Sequence, residues 1–189
     1  MDYREWDQVP DLDLVQSPER RDLDYTDIQG GNRIGLGGHA DVSRVTVGGT
    51  TLVVKEPRLQ GTVSKNTYEA FLDEAETWAA LDNHENVVGV IDWDAERVPW
   101  IAMEDMDGES LRKRVDNGGI ETREALWIGV CLSRAIQHAH RHGVAHLDLK
   151  PANVLFRKTP DGLWDVPKVA DWGLSSYLIK HSGTVEGLT

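Results

Sequence analysis

An α+β fold is predicted by the order in which two kinds of periodicity appear along the chain. From Ile28 to Val54 short β-prone runs are broken by glycine, whereas residues 66–82 and 122–142 place apolar side chains three and four positions apart. Two more apolar runs separate these helical stretches, so strands dominate the first half and helices the second.

Residues 1–24 are acidic, hold Pro10 and Pro18, and show no sustained period of 2 or 3.6, so an irregular leader is expected there. Arg33-Ile34, Asp41 to Val47 and Thr50 to Val54 read as successive antiparallel strands, the last two joined at Gly48-Gly49. In the next stretch Tyr68, Phe71, Leu72, Ala75, Trp78, Ala79 and Leu81 share one face of an amphipathic helix. Val87 to Ile91 is a buried-strand candidate. Val98 to Met103 is another, and it runs into an acidic connector, Glu104 to Gly108. A short helix is expected from Ser110 to about Asn117, ended by Gly118-Gly119. The longest helix covers Thr122 to His142, with Ala125, Ile128, Leu132, Ala135, Ile136 and Ala139 on one face and Gly143 as its stop. From there to Gly173, apolar runs alternate with turns such as Pro160-Asp161-Gly162.

The chain has 189 residues, and its net charge of -12 disfavours adhesion to nucleic acid or anionic lipid, both themselves negative. Any phosphate site must be local. The acids are scattered, as on a solvated surface, and Arg outnumbers Lys while Asp outnumbers Glu, a bias resembling proteins of salt-loving cells. The single cysteine, Cys131, excludes an intramolecular disulfide and is expected to be a small core residue. The first residues lack a signal-peptide pattern, and no segment approaches the roughly 18 apolar residues of a membrane span. The expected compartment is the cytoplasm.

Gly35-Leu36-Gly37-Gly38-His39-Ala40 fits a G-x-G-x-x-G/A pattern, in which missing β-carbons let backbone amides approach phosphate oxygens. A dinucleotide-binding loop requires a helix next, yet a strand follows. Lys55 closes the run Leu52-Val53-Val54 at a distance that can place an ammonium over phosphates. Its long stem needs an acidic partner, for which the 66–82 helix offers Glu74, with Glu76 less favoured. The most specific segment is His146-Leu147-Asp148-Leu149-Lys150-Pro151-Ala152-Asn153, and eighteen positions after Asn153 comes Asp171-Trp172-Gly173.

These motifs closely match H-x-D-L-K-P-x-N and D-F-G, and over residues 25–180 the chain resembles a eukaryotic-like protein serine/threonine kinase. The resemblance implies a protein-kinase-like fold, with a small β-rich lobe over residues 25–104 and a connector with part of a helical large lobe over 105–189. It implies ATP and Mg²⁺ as cofactors. Asp148 becomes the base, Lys150 steadies the γ-phosphoryl group, Lys55 and Glu74 form the phosphate-holding pair, and Asn153 and Asp171 are Mg²⁺ ligands. Gly35, Gly37, Gly38 and Ala40 cover the phosphates. Val42 and Val53 sandwich the adenine and Leu155 forms its floor. Met103 resembles the gatekeeper, the backbone of Glu104 and Met106 meets the adenine edge, and Asp107 reaches the ribose.

Leu147 replaces the arginine that commonly precedes the catalytic aspartate, so loop phosphorylation is not required for that contact. Val53, Ala40 and Trp172 also depart from the usual pattern but keep small or apolar character. Residues 182–189 look like the middle of an activation segment with no A-P-E after them. A truncated chain is therefore expected to expose apolar area and to need a second chain completing the large lobe. The implied substrate is a protein bearing Ser or Thr. Two alternatives are a non-catalytic nucleotide-binding remnant and a small-molecule kinase of the aminoglycoside or choline type, against which Lys150-Pro151 argues.

Overall fold

In a computed structural model, residues 19–36, 40–58, 65–81, 84–95, 98–162 and 164–172 are described. Five strands build one antiparallel sheet: β1 (Asn32–Leu36), β2 (Ala40–Val47), β3 (Thr50–Pro57), β4 (Val90–Asp94) and β5 (Trp100–Glu104), in the order β1-β2-β3-β5-β4. Between β2 and β3, Gly48 and Gly49 both take positive φ (56° and 79°), the tight-turn conformation that glycine adopts without steric cost. This turn sets the register that places Val42 opposite Lys55.

Alternation along β3 decides what each sheet face covers. Leu52 and Val54 join Ile28, Val45, Ile91, Trp100 and Ala102 on one side. Val53 points the other way, with Ile101 and Met103, into a larger cluster beneath α1 (Lys65–Ala80). From α1 come Phe71, Ala75 and Trp78, all buried, and the Trp78 indole donates to Val88 O at 2.7 Å.

The second half holds α2 (Leu111–Asp116), α3 (Thr122–Arg141), a 3-10 turn at Pro151–Asn153 and a two-stranded hairpin, β6 (Val154–Lys158) and β7 (Asp165–Val169). Ser110 caps α2, its hydroxyl accepting from Lys113 N at 3.3 Å. On α3 the buried stripe is Trp127, Ile128, Cys131, Ala135 and Ala139, while Leu132 and Ile136 are half-buried and Ala125 is exposed. Leu126 and Val130 on its other side are 58% and 51% exposed. Cys131 is the expected small core residue, and burial pushes its thiol up to about 12.

The expected strand from Val87 to Ile91 is corrected by the structure. Val87 makes only an isolated parallel bridge to Val169, and β4 starts at Val90. The reason is local: Gly89 exchanges bonds with Glu104, its N–H donating to Glu104 Oε1 at 2.8 Å and its carbonyl accepting from Glu104 N at 3.0 Å, which draws the chain out of the ladder. The bridge has its own use. Val88 N donates to Val169 O and Val169 N to Asn86 O, at 2.9 and 2.8 Å, fastening the sheet half to β7. No helix among the described residues is long and apolar enough to cross a membrane.

Candidate functional site

Three elements distant in sequence meet at Lys55. β3 projects the lysine into the space under the sheet, and α1 turns Glu74 inward because Glu74 shares a face with Phe71, Ala75 and Trp78. Lys55 Nζ donates to Glu74 Oε1 and, at 2.9 Å, to Asp171 Oδ1. Glu76 is exposed on the opposite side of α1, so Glu74 is the partner. Burial alone pulls the Lys55 ammonium down; the Glu74 and Asp171 charges outweigh it, and its pKa stays raised. Burial likewise pushes the Glu74 carboxyl up, with Lys55 opposing that push.

The segment after α3 is held by His146, which is buried. Its Nε2 bonds Ala170 O at 3.1 Å, and because a carbonyl only accepts, that nitrogen carries the hydrogen. The ring centroid lies 4.5 Å from that of Trp172, the two planes tilted by 48°. Asp148 N donates to His146 O at 2.8 Å, wrapping a tight turn around Leu147, which takes φ +60° and is 53% exposed. A leucine in that left-handed region costs roughly 1–2 kcal/mol, strain of the kind that functional loops hold.

Beyond the turn, Lys150 Nζ donates to Asp148 Oδ2 at 2.5 Å, and Asn153 Nδ2 donates to Asp148 O at 3.0 Å and Oδ2 at 3.3 Å. The Lys150 bond holds the Asp148 carboxyl below the usual carboxylate range, and Asp148 in turn raises Lys150, to which the Asp171 charge adds. Ala170 N donates to Asn153 O at 2.9 Å, so Asn153 and Asp171 stand side by side. Asp171 has φ +65° and a side chain 46% exposed. Among the described residues no group of three His, Cys, Asp or Glu could hold a metal alone. The Asn153 amide oxygen and the Asp171 carboxylate are hard oxygen donors that fit Mg²⁺ if phosphate and water complete its shell.

The apolar residues expected around adenine form one cluster. Val53, Met103 and Met106 are buried in it, and the half-buried Val42 and Leu155 pack against it. Gly35 pairs with Val42 beside a bulge, and Ala40 is buried at the start of β2. Gly37 and Gly38 lie outside the described residues. Grooves of about 660 and 560 Å³ also run along the exposed side of α3, and neither is lined by Lys55, Glu74, Asp148 or Asp171. They belong to the apolar flank of the helix, not to the polar constellation.

What sequence reasoning missed is how the connector is held. Glu104 accepts from Lys168 at 2.6 Å and from Arg157, so its side chain turns away from the cleft. Asp105 accepts from Arg44 Nε and Nη2 at 3.0 and 2.8 Å. Asp107 is exposed, and its Oδ1 accepts from Lys158 N at 3.0 Å. Three carboxylates thus strap the connector to three strands. The one available signal was Lys168 standing alone in the run Val166-Pro167-Lys168-Val169-Ala170, where a charge must be paired to be buried.

Residues 28–187 match the family described as a protein kinase domain. The probable serine/threonine-protein kinase PknB of Corynebacterium glutamicum is 34% identical over 150 residues, 75% of this chain and 22% of that protein. That of Bifidobacterium longum is 31% identical over 168 residues, 82% of this chain and 24% of that protein. The serine/threonine-protein kinase PrkC of Bacillus subtilis is 36% identical over 123 residues, 62% and 18%. The chain therefore spans less than a quarter of the length of these curated relatives.

Proposed function

The chain belongs to the protein kinase family, and on that premise we propose that it transfers the γ-phosphoryl group of Mg²⁺-ATP to serine or threonine hydroxyls of a protein substrate. The relatives' names, all serine/threonine-protein kinases, support that acceptor over a small molecule. We assign residues 25–104 to the small lobe, 105–189 to the connector and part of the large lobe, and 1–24 to a leader in a cytoplasmic protein. Exposed Leu126 and Val130 support a covering surface from further polypeptide, in this chain or another.

The observation that carries the reading is Lys55 bonded at once to Glu74 and Asp171, which brings β3, α1 and the D-x-G motif to one point. Glu74 holds the lysine stem so that its ammonium meets the α- and β-phosphates. Glycines at 35, 37 and 38 with Ala40 admit the phosphates to backbone amides, and Val42, Val53, Met103 and Leu155 enclose the base. The backbone of Glu104 and Met106 offers hydrogen bonds to the adenine edge, and Asp107 keeps a carboxylate oxygen for the ribose.

When bound, Mg²⁺ neutralises the β- and γ-phosphate charge, and Asn153 and Asp171 would hold it. Asp148 accepts the substrate hydroxyl's proton. The Lys150 bond that lowers Asp148 keeps its carboxyl ionised and able to accept that proton as the new bond forms. Lys150, tied to Asp148, meets the spreading γ-phosphoryl charge.

Incubation with γ-labelled ATP, Mg²⁺ and a generic protein substrate tests this. Label on protein that disappears in Asp148→Asn supports transfer. Label absent from the wild type while MgATP still binds supports a non-catalytic nucleotide-binding module.

A further inference from the structure

Residues 19–27 precede the stretch that matches the kinase family, yet they are fastened along the five-stranded sheet. Arg21, Leu23 and Tyr25 are half-buried while Arg20, Asp22 and Asp24 are exposed, the period of 2 expected of an extended segment laid on a sheet. Arg21 N donates to Ile91 O at 3.2 Å and Leu23 N to Asp92 Oδ2 at 2.8 Å. Both acceptors lie on β4, the edge strand. Leu23 and Tyr25 pack on the Leu52–Trp100 side of the sheet, and Tyr25 OH donates to Glu56 at 3.2 Å. The Arg21 guanidinium grips both flanks of the Gly48-Gly49 turn, donating to Val47 O at 3.3 Å and Thr50 Oγ1 at 2.7 Å.

The remaining anchor is on α1. Arg20 Nη2 donates to Ala79 O at 2.7 Å, one of the carbonyls a helix leaves without an internal partner. The last turn of α1 has no basic residue of its own, so Arg20 supplies the cation that favours that end of the helix dipole.

We infer that residues 19–25 are a positioning strap that locks the C-terminal end of α1 to the sheet and thereby holds Glu74 against Lys55. Glu74 lies little more than one turn before Ala79 on a continuous helix, so a swing or fraying at that end moves the carboxylate. None of these residues touches the reacting atoms. The inference rests on the proposed nucleotide site for its consequence, though not for the strap itself.

Arg20 is exposed, so Arg20→Ala leaves the core intact. In the full chain it is expected to speed amide exchange over Glu74–Leu81 and to raise the dissociation constant for MgATP by about two- to fivefold, the range for losing a cation at a helix C-terminus. Arg21→Ala, which frees the strap from the β2–β3 turn, acts in the same direction. Arg20→Lys keeps both readouts near wild type, a rescue that general destabilisation does not predict. Unchanged exchange over α1 in both alanine variants overturns the strap. Faster exchange with unaltered MgATP affinity reduces it to packing and overturns the positioning role. If the wild-type chain binds no MgATP, the nucleotide-site reading falls, and unchanged exchange in the same variants still refutes the hold on α1.

Discussion

Lys168 and Glu104 form an ion pair sealed from solvent, the ammonium donating to Oε1 at 2.6 Å with side chains 0% and 1% exposed. The carboxylate is fully engaged, because Gly89 N and Arg157 also donate to it. Lys168→Met leaves Glu104 buried with one cation fewer and is expected to cost about 3–5 kcal/mol in urea denaturation. The double variant Lys168→Met, Glu104→Leu removes both charges and should recover part of that loss. A double variant no more stable than the single would show that the loss of the Lys168 charge beside buried Glu104 is not the cause.

Lys55 responds to its partners in a predictable direction. Its ammonium is lowered by burial and raised by Glu74 first and Asp171 next. Glu74→Gln keeps the shape and a hydrogen-bond acceptor while deleting the charge, so the Lys55 pKa should fall from its wild-type value. Selectively labelled lysine observed by NMR across alkaline pH reads this directly. An unmoved titration would place the control of Lys55 elsewhere.

Mild acid should loosen the join between α3 and the loop before β4. There the His84 and His138 rings lie 4.6 Å apart, and His138 and His142 lie 4.4 Å apart. Burial lowers both His84 and His138 from 6.5; Glu85 opposes the shift, while Arg134, Arg141, Lys168 and the neighbouring imidazoles reinforce it. The folded chain therefore binds protons less readily than the unfolded one. Stability from this source is intact above the unfolded value of 6.5 and drains away as pH falls below it. Urea midpoints at descending pH should drop more steeply for wild type than for His84→Asn, His138→Gln, and parallel slopes would refute the assignment.

Gly108 admits no side chain. A β-carbon there would lie 2.6 Å from Phe156 O, the same oxygen to which Gly108 N donates at 2.9 Å. Gly108→Ala must push the connector off β6 and is expected to cost about 1–3 kcal/mol by overpacking. Thermal unfolding gives the measure, with Gly129→Ala, which meets nothing within 4 Å, as the control that should not destabilise.

Local periodicity accounts for the parts of the fold that are legible in the sequence. The helix read from Thr122 to His142 is α3, with His142 as its C-cap, and the strand pair around Gly48-Gly49 is β2–β3. In the sequence Glu74 is preferred to Glu76 on the set of motifs taken together, and the helix face accounts for the outcome, since Glu74 shares the side of Phe71, Ala75 and Trp78. The hidden parts are pairings across distance. Glu104 finds Lys168 from 64 positions away and Arg44 finds Asp105 from 61, and neither period nor spacing marks such partners. The strap is hidden for a related reason: its anchors are single bonds to turns, edges and helix ends, which an extended acidic segment does not announce.

Hairpin β6–β7 has a legible mechanical role. Val154 pairs with Val169, which puts Asn153 and Asp171 at the open mouth of the ladder, while Pro160 to Gly162 turn the chain at the far tip. Residues added at the tip leave the two oxygen donors where they are. Removing one residue from either leg slips the ladder and flips alternate side chains to the other face, parting the donors. Insertions at the tip are thus invisible to the chemistry, and length in the legs is not free to drift.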